Sequence, residues 1–195
     1  MSISFQDVER LQTLYPESQI EWREGKLIVM SPSDGVSGAV GARFSRLLGS
    51  WVDDHHLGEI LDSSTGFRLP NGDLLSPDVS FVSHTRLKHV TRSYLAVVPE
   101  LIVEIKSSHD RIRSLEEKIA LFLGQGVQVG VLIDPDKKVV SLYRHAEVAT
   151  TGDRDDTEEI ILQKTTLRDD TILTIPELFP GWEVEINRFW PAVYE

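Results

Sequence analysis

The chain has 195 residues, 41% of them hydrophobic, which suits one domain with a single substantial core. It contains no cysteine, and this excludes disulfides and thiolate metal sites. Its formal net charge of −11 argues against a protein that coats nucleic acid through bulk electrostatics, because non-specific affinity comes mainly from Lys and Arg neutralising phosphates.

Ser4 to Leu14 reads as a short amphipathic helix, with Ser4 and Asp7 as a capping pair and Phe5, Val8 and Leu11 on one side. Tyr15-Pro16 ends it. Ile20 to Trp22 and Leu27 to Met30 flank Arg23-Glu24-Gly25-Lys26 and predict a hairpin, read as a cover over the core with no part in the chemistry. After the loop Ser31 to Gly35, the spacing of Val40, Phe44, Leu47, Leu48 and Trp51 predicts the first core helix. Leu57 to Leu69 is expected to form a strand interrupted near Gly66. Pro70-Asn71-Gly72-Asp73 then turns the chain toward a strand at Val79 to Val82.

A second apolar run, Leu101 to Ile105, carries Glu104 inside it and Lys106 just after. Alternation places Glu104 and Lys106 side by side on one strand face, with Leu101, Val103 and Ile105 facing the other way into a core. An ionised group in a central strand is costly unless it is paired or coordinates a metal. Asp78, opening the preceding strand, can converge with Glu104 on one hard divalent cation, with magnesium the best fit. Lys106 would then meet a water or a phosphate oxygen, an arrangement that suits metal-assisted displacement at phosphorus. The same Glu-x-Lys pair also reads as an ion pair on a solvated strand face.

Asp110 is the expected N-cap of a helix from Arg111 to Leu123, with Ile112, Leu115, Ile119, Phe122 and Leu123 as its buried stripe. Lys118 falls along the edge of that stripe, where it either snorkels to solvent or supports the site. Val127 to Ile133 and Val139 to Tyr143 are strands joined by a turn at Asp134 to Lys138. Thr150 to Glu159 reads as a surface loop. Ile160 to Leu162 and Thr171 to Ile175 read as short strands. Phe179 and Trp182 are expected to pack on the core, while Phe189, Trp190 and Tyr194 suit either core packing or a dimer face.

Pro77-Asp78 followed by Glu104-Ile105-Lys106 resembles the PD-(D/E)XK nuclease superfamily. The wider text, from Leu57-Gly58-Glu59 through Asp62 to Gly72, Lys118, Ile133-Asp134-Pro135 and Phe179-Pro180-Gly181, resembles its Uma2 branch of restriction-endonuclease-like proteins. The resemblance implies an α/β fold: a restriction-endonuclease-like core of helix, three strands, helix and strand around a central mixed sheet, with an added N-terminal helix and hairpin. It implies one nuclease-like domain over 1–195, with an extension at 1–33, a core at 34–145 and a C-terminal extension at 146–195. The implied activity is Mg²⁺-dependent hydrolysis of DNA phosphodiester bonds, with Mn²⁺ as a substitute. Asp78, Glu104 and the backbone carbonyl of Ile105 would hold the metal. Lys106 would act on the attacking water, and Lys118 matches a recurrent lysine of the following helix. A homodimer is implied as well. Where the family often carries an acid near the start of the first core helix, this sequence has Val36, with Asp34 nearby as a substitute.

Arg43, Arg46, Arg86, Lys88, Arg92, Arg111 and Arg113 are candidates for a basic rim, or are ordinary solvated surface. His55, His56, His84, His89 and His109 read as surface or loop residues. No phosphate-cradling glycine loop and no serine nucleophile elbow is present. With no charged-then-apolar leader and no apolar run near ~18 residues, a cytoplasmic protein without a membrane span is expected. The competing readings are a catalytically silent DNA-binding or structural module, and a hydrolase of smaller phosphoesters.

Overall fold

The computed structural model describes residues 5–146, 162–168 and 170–192. Phe5–Leu14 forms α1, whose buried residue Val8 packs with Ile20 and Leu74. Ser4, the expected cap, lies outside the described residues. Gln19–Arg23 (β1) and Lys26–Met30 (β2) pair antiparallel, with Arg23 opposite Lys26. Their two-residue turn holds Glu24 at φ 50° and Gly25 at φ 77°, the left-handed pair whose twist matches that of the strands. Glycine takes its share of that turn at no steric cost.

Gly35–Asp54 (α2) buries Val40, Phe44, Leu48 and Val52 along one face, close to the predicted stripe. Gly58–Asp62 (β3), Phe67–Arg68 (β4), Leu74–Leu75 (β5), Val79–Ser83 (β6) and Leu101–Ile105 (β7) follow. Leu57 to Leu69 is therefore not one interrupted strand, because β3 and β4 belong to different sheets. The cause is local. The Asp62 carboxylate accepts from the Ser64 amide at 3.0 Å, and the Asp62 carbonyl accepts from Thr65 at 3.1 Å. Gly66 then passes so near Tyr94 that a Cβ would come within 2.7 Å of the ring.

Ile112–Gly124 (α3), Val129–Asp134 (β8) and Val139–His145 (β9) complete the core. Leu162–Arg168 (β10), Ile172–Thr174 (β11), Glu183–Glu185 (β12) and a 3-10 turn at Ile186–Phe189 end the described chain. Strand β10 begins where the expected Ile160–Leu162 strand ends. Its exposed run Gln163 to Thr166 shows no apolar alternation, and it forms by pairing with β9 at the edge of the sheet. The loop expected over Thr150–Glu159 lies outside the described residues.

The central sheet has six strands in the order β10-β9-β8-β7-β6-β3, with β7 and β8 parallel and the other neighbours antiparallel. It is the expected mixed sheet, and α2, β3, β6, β7, α3 and β8 supply the expected order of helix, three strands, helix and strand. Helix α2 covers one face, where Phe44 and Leu48 share a buried cluster with Val79, Val103 and Ile105. Helix α3 covers the other, where Ile119 and Phe122 cluster with Val82, Ile102 and Leu132. Phe179, Trp182 and Phe189 join the α2 side, with Trp190 half-buried against them. Tyr194 lies outside the described residues.

A second sheet, β2-β1-β5-β4, carries α1 on one face. Among the described residues no helix is long and apolar enough to cross a membrane.

Candidate active site

The register of β6 and β7, with Val79 opposite Val103, brings Asp78 and Glu104 side by side at one end of adjacent strands. Asp78 Oδ2 accepts a hydrogen bond from the Ile105 amide at 2.6 Å. Burial pushes the Asp78 carboxyl above its ordinary range, against the opposing effects of that amide and of Lys118. Glu104 points the other way from Ile105, toward α3, and is only 3% exposed. Burial, reinforced by Asp78 and Glu21, raises its pKa to about 8 despite the nearby Lys118.

Lys118 neither snorkels nor reaches solvent; it is 5% exposed. Its Nζ lies 2.8 Å from Glu21 Oε1 and 3.0 Å from Glu104 Oε1, and it donates to the Ser76 carbonyl at 2.9 Å. Burial works against its charge, but the Glu104 and Glu21 carboxylates outweigh that cost and hold the amine protonated well above the usual lysine value. Glu104 Oε1 stands at ion-pair distance from Lys118, and among the described residues no other donor reaches it.

Glu21 is the residue that the sequence reading missed, and it overturns the view of the hairpin as mere cover. Strand β1 buries Glu21 opposite the Ile20 face, and its Oε1 also accepts from the Ser76 amide at 2.9 Å. The signal was there: Ile20 and Trp22 on one strand face isolate Glu21 on the other, the same alternation that singled out Glu104.

Lys106 is not drawn to Glu104. Its Nζ binds Asp136 Oδ2 at 2.7 Å, in the turn between β8 and β9, and donates to the Ser107 carbonyl at 3.2 Å. The Asp136 hydrogen bond raises its pKa above the ordinary lysine value. Asp110 does not cap α3 either. Arg111 holds that position without a side-chain bond, and the Asp110 carboxylate turns back to the Ser107 amide and hydroxyl at 2.9 and 2.6 Å. The Ser107 side chain offers a donor that the helix amides do not match.

A cleft of about 550 Å³ opens beside this cluster, with Asp78, Ser76, Ile105, Ser37, Gly41 and Met30 among its walls, and among the described residues no lysine or arginine lines it. The candidate basic rim is elsewhere: the Arg43 guanidinium donates to the Trp190 carbonyl, Arg86 pairs with Glu100 at 3.1 Å and Arg113 with Glu117 at 3.0 Å. The histidines near the elements stay out of it, His55 stacking on Trp51 and His84 bonding the Leu57 carbonyl. Among the described residues no three His, Cys, Asp or Glu side chains are grouped to hold a metal. A cation would therefore draw on the Asp78 and Glu104 carboxylates and a main-chain carbonyl. The buried Glu104 carboxyl, with Lys118 the one described partner of its Oε1, fits that use.

Asp34, the expected substitute ligand near Val36, is committed elsewhere. Its Oδ1 caps α2 through the Val36 and Ser37 amides, and its Oδ2 accepts from the Ser108 amide at 2.8 Å, tying the loop after β7 to the helix. The Ser37 and Ser108 amides lower its pKa to about 2. Asp34→Ala is expected to cost about 1 kcal/mol in urea unfolding at neutral pH, the usual worth of such a cap. Because the folded pKa is depressed, this contribution is present above the ordinary aspartate value of 3.8 and lost as pH falls through about 2. Wild type and variant should therefore converge in acid, and a constant gap would remove Asp34 from the account.

Glu104 has the opposite sign. Its raised folded pKa gives a contribution that is full below 4.5 and is lost as pH rises through about 8. The melting temperature of the metal-free protein should fall between pH 5 and 8.5, and Glu104→Gln should flatten that fall. An unchanged slope in the variant would assign the pH dependence to another group.

A mixed sheet between two helices, with an aspartate and a Glu-x-Lys motif on adjacent strands, defines a restriction-endonuclease-like protein. The chain belongs to the Uma2 family, described as “Putative restriction endonuclease”, whose model matches residues 5–187. Its fold is similar to a crystal structure described as “a putative nuclease belonging to DUF820” from Anabaena variabilis. The TM-score is 0.72, with 20% identity over 89% of this chain and 90% of that one. No curated protein matches the chain.

Proposed function

We propose that this chain is a cytoplasmic, Mg²⁺-dependent endonuclease that hydrolyses DNA phosphodiester bonds, with Mn²⁺ able to replace Mg²⁺. The observation that carries the reading is the placement of Asp78, bonded to the Ile105 amide, beside the buried Glu104 at the ends of β6 and β7. Paired carboxylate oxygens suit a hard divalent cation. Held by Asp78, Glu104 and the Ile105 carbonyl, such an ion would supply Lewis acidity toward phosphate oxygens and a lowered pKa for water.

The chain's own groups do the rest. Lys118 fixes Glu104 from behind and stays charged, so it is a positioning residue. The Ile105 amide orients Asp78. Lys106, two residues beyond Glu104 on the same strand face, is the group that handles the proton of the attacking water once it leaves Asp136.

A second reading, a silent module that keeps the fold, is favoured by the Lys106–Asp136 pair and by the cleft's lack of lysine and arginine. The test is cleavage of supercoiled and single-stranded DNA in Mg²⁺ or Mn²⁺ by wild type, Asp78→Ala and Lys106→Ala. Cutting that both substitutions abolish supports the nuclease. Equal cutting by all three signals a contaminant and sinks the assignment. A silent module would show neither cutting nor a metal-dependent rise in melting temperature that Asp78→Ala removes.

A further inference from the structure

Asp78 stands on a seam between the two sheets. Strand β5 belongs to the four-stranded sheet and β6 to the six-stranded one, and Ser76, Pro77 and Asp78 are all that separates them in the chain. Among the described residues β1 pairs with β5 at one position, Trp22 opposite Leu74, so the ladder gives Ser76 little support. Side chains supply it. The Ser76 amide donates to Glu21 Oε1 at 2.9 Å, and the Ser76 carbonyl accepts from Lys118 Nζ at 2.9 Å. The same ammonium lies 2.8 Å from Glu21 Oε1 and 3.0 Å from Glu104 Oε1. Both main-chain groups of Ser76 are thus held in one closed ring with the Glu21 oxygen and the Lys118 ammonium, and the ammonium ties that ring to Glu104.

We propose that Glu21 is a positioning residue: with one buried oxygen it holds the Ser76 segment and the Lys118 ammonium, and so fixes Asp78 against Glu104. The link from Ser76 to Asp78 is short and stiff. Pro77 locks its own φ near about −65° and confines the preceding Ser76 to extended conformations. A shift at Ser76 therefore passes to Asp78 with little slack, and from Asp78 to its bond with the Ile105 amide. Glu21 is 2% and Ser76 7% exposed, and hydrogen bonds to an ionised carboxylate are about twice as strong as neutral ones.

A second tie holds the same hairpin to the same segment without entering the ring. The Glu24 amide donates to Asp73 Oδ1 at 2.9 Å, and the other bonds of the Asp73 carboxylate and amide go to Asn71. It serves as the control for a role that is merely structural. The use of the fixed carboxylates on a divalent cation rests on the nuclease reading; the positioning does not.

Amide hydrogen exchange in metal-free protein reads the positioning directly. Glu21→Ala should speed exchange of the Ile105 amide by about tenfold, roughly the worth of one hydrogen bond, and leave Val131, in the middle of β8, at its wild-type rate. Glu21→Gln, whose amide oxygen still accepts from Ser76, should recover most of the protection. Glu21→Asp, too short to close the ring, should loosen Ile105 as well and keeps the test open where the alanine variant does not fold. In a Mn²⁺ titration followed by electron paramagnetic resonance, Glu21→Ala should weaken affinity by about 10–100-fold, the usual cost of losing a group that orients a ligand. Asp73→Ala should match wild type.

An Ile105 amide unmoved by Glu21→Ala and Glu21→Asp, or Ile105 and Val131 accelerating together, overturns the proposal. Equal losses of Mn²⁺ affinity in Asp73→Ala and Glu21→Ala overturn it too, as does a Glu21→Gln variant that binds no better than Asp78→Ala, which would make Glu21 a ligand. A wild type that binds no Mn²⁺ defeats the metal-dependent reading, and the exchange at Ile105 still decides the positioning.

Discussion

Lys118→Met is expected to destabilise the protein by about 3–5 kcal/mol, the range for removing one partner of a buried ionic group. Methionine nearly fills the lysine stem's volume, so packing changes little and the loss reports electrostatics. Without the ammonium, Glu21 is left without its counter-ion in a buried site. Glu104, pushed up to about 8, already holds most of its proton at neutral pH, so the stranded charge is chiefly that of Glu21. Adding Glu21→Gln and Glu104→Gln to Lys118→Met should therefore restore much of the stability. Urea midpoints at constant slope measure it, and a loss below about 1 kcal/mol would mean the cluster is not held together as charges.

Lys106→Ala and Asp136→Asn should move cleavage in opposite directions. If Lys106 handles the proton of the attacking water, its removal should lower the rate on the order of 10²-fold or more. Asp136 holds the same ammonium at 2.7 Å but is largely exposed, and exposed ion pairs are worth roughly 0.2–1 kcal/mol. Freeing the lysine should raise the rate by up to about fivefold. A slower Asp136→Asn enzyme would make Asp136 part of the machinery and not a restraint on it.

Glu104 and Glu21 mark what could be read from the sequence. Glu104 was legible because strand alternation leaves a charge alone on a buried face, and Glu21 obeyed the same rule in a hairpin dismissed as cover. Lys118 was legible only through the family resemblance, not from its local pattern. A lysine at the edge of a helical stripe looks the same whether its head reaches water or a carboxylate, and both of its carboxylates lie far away in the chain. Local rules failed where a nearer partner competed, as Ser107 did for Asp110. They also failed where pairing alone makes the element, as in the polar edge strand β10. The central sheet was legible because β6, β7 and β8 are apolar along nearly their whole length.

The Glu21–Lys118 contact has a consequence for how the molecule comes into being. The hairpin leaves the ribosome early, and its carboxylate has no counter-ion until α3 has been made and has docked on the sheet. Contacts so distant in sequence form late, after the entropy of closing the intervening loop has been overcome. If Glu104 and Lys118 carry the chemistry, the site stays incomplete until the chain through α3 has left the ribosome and docked.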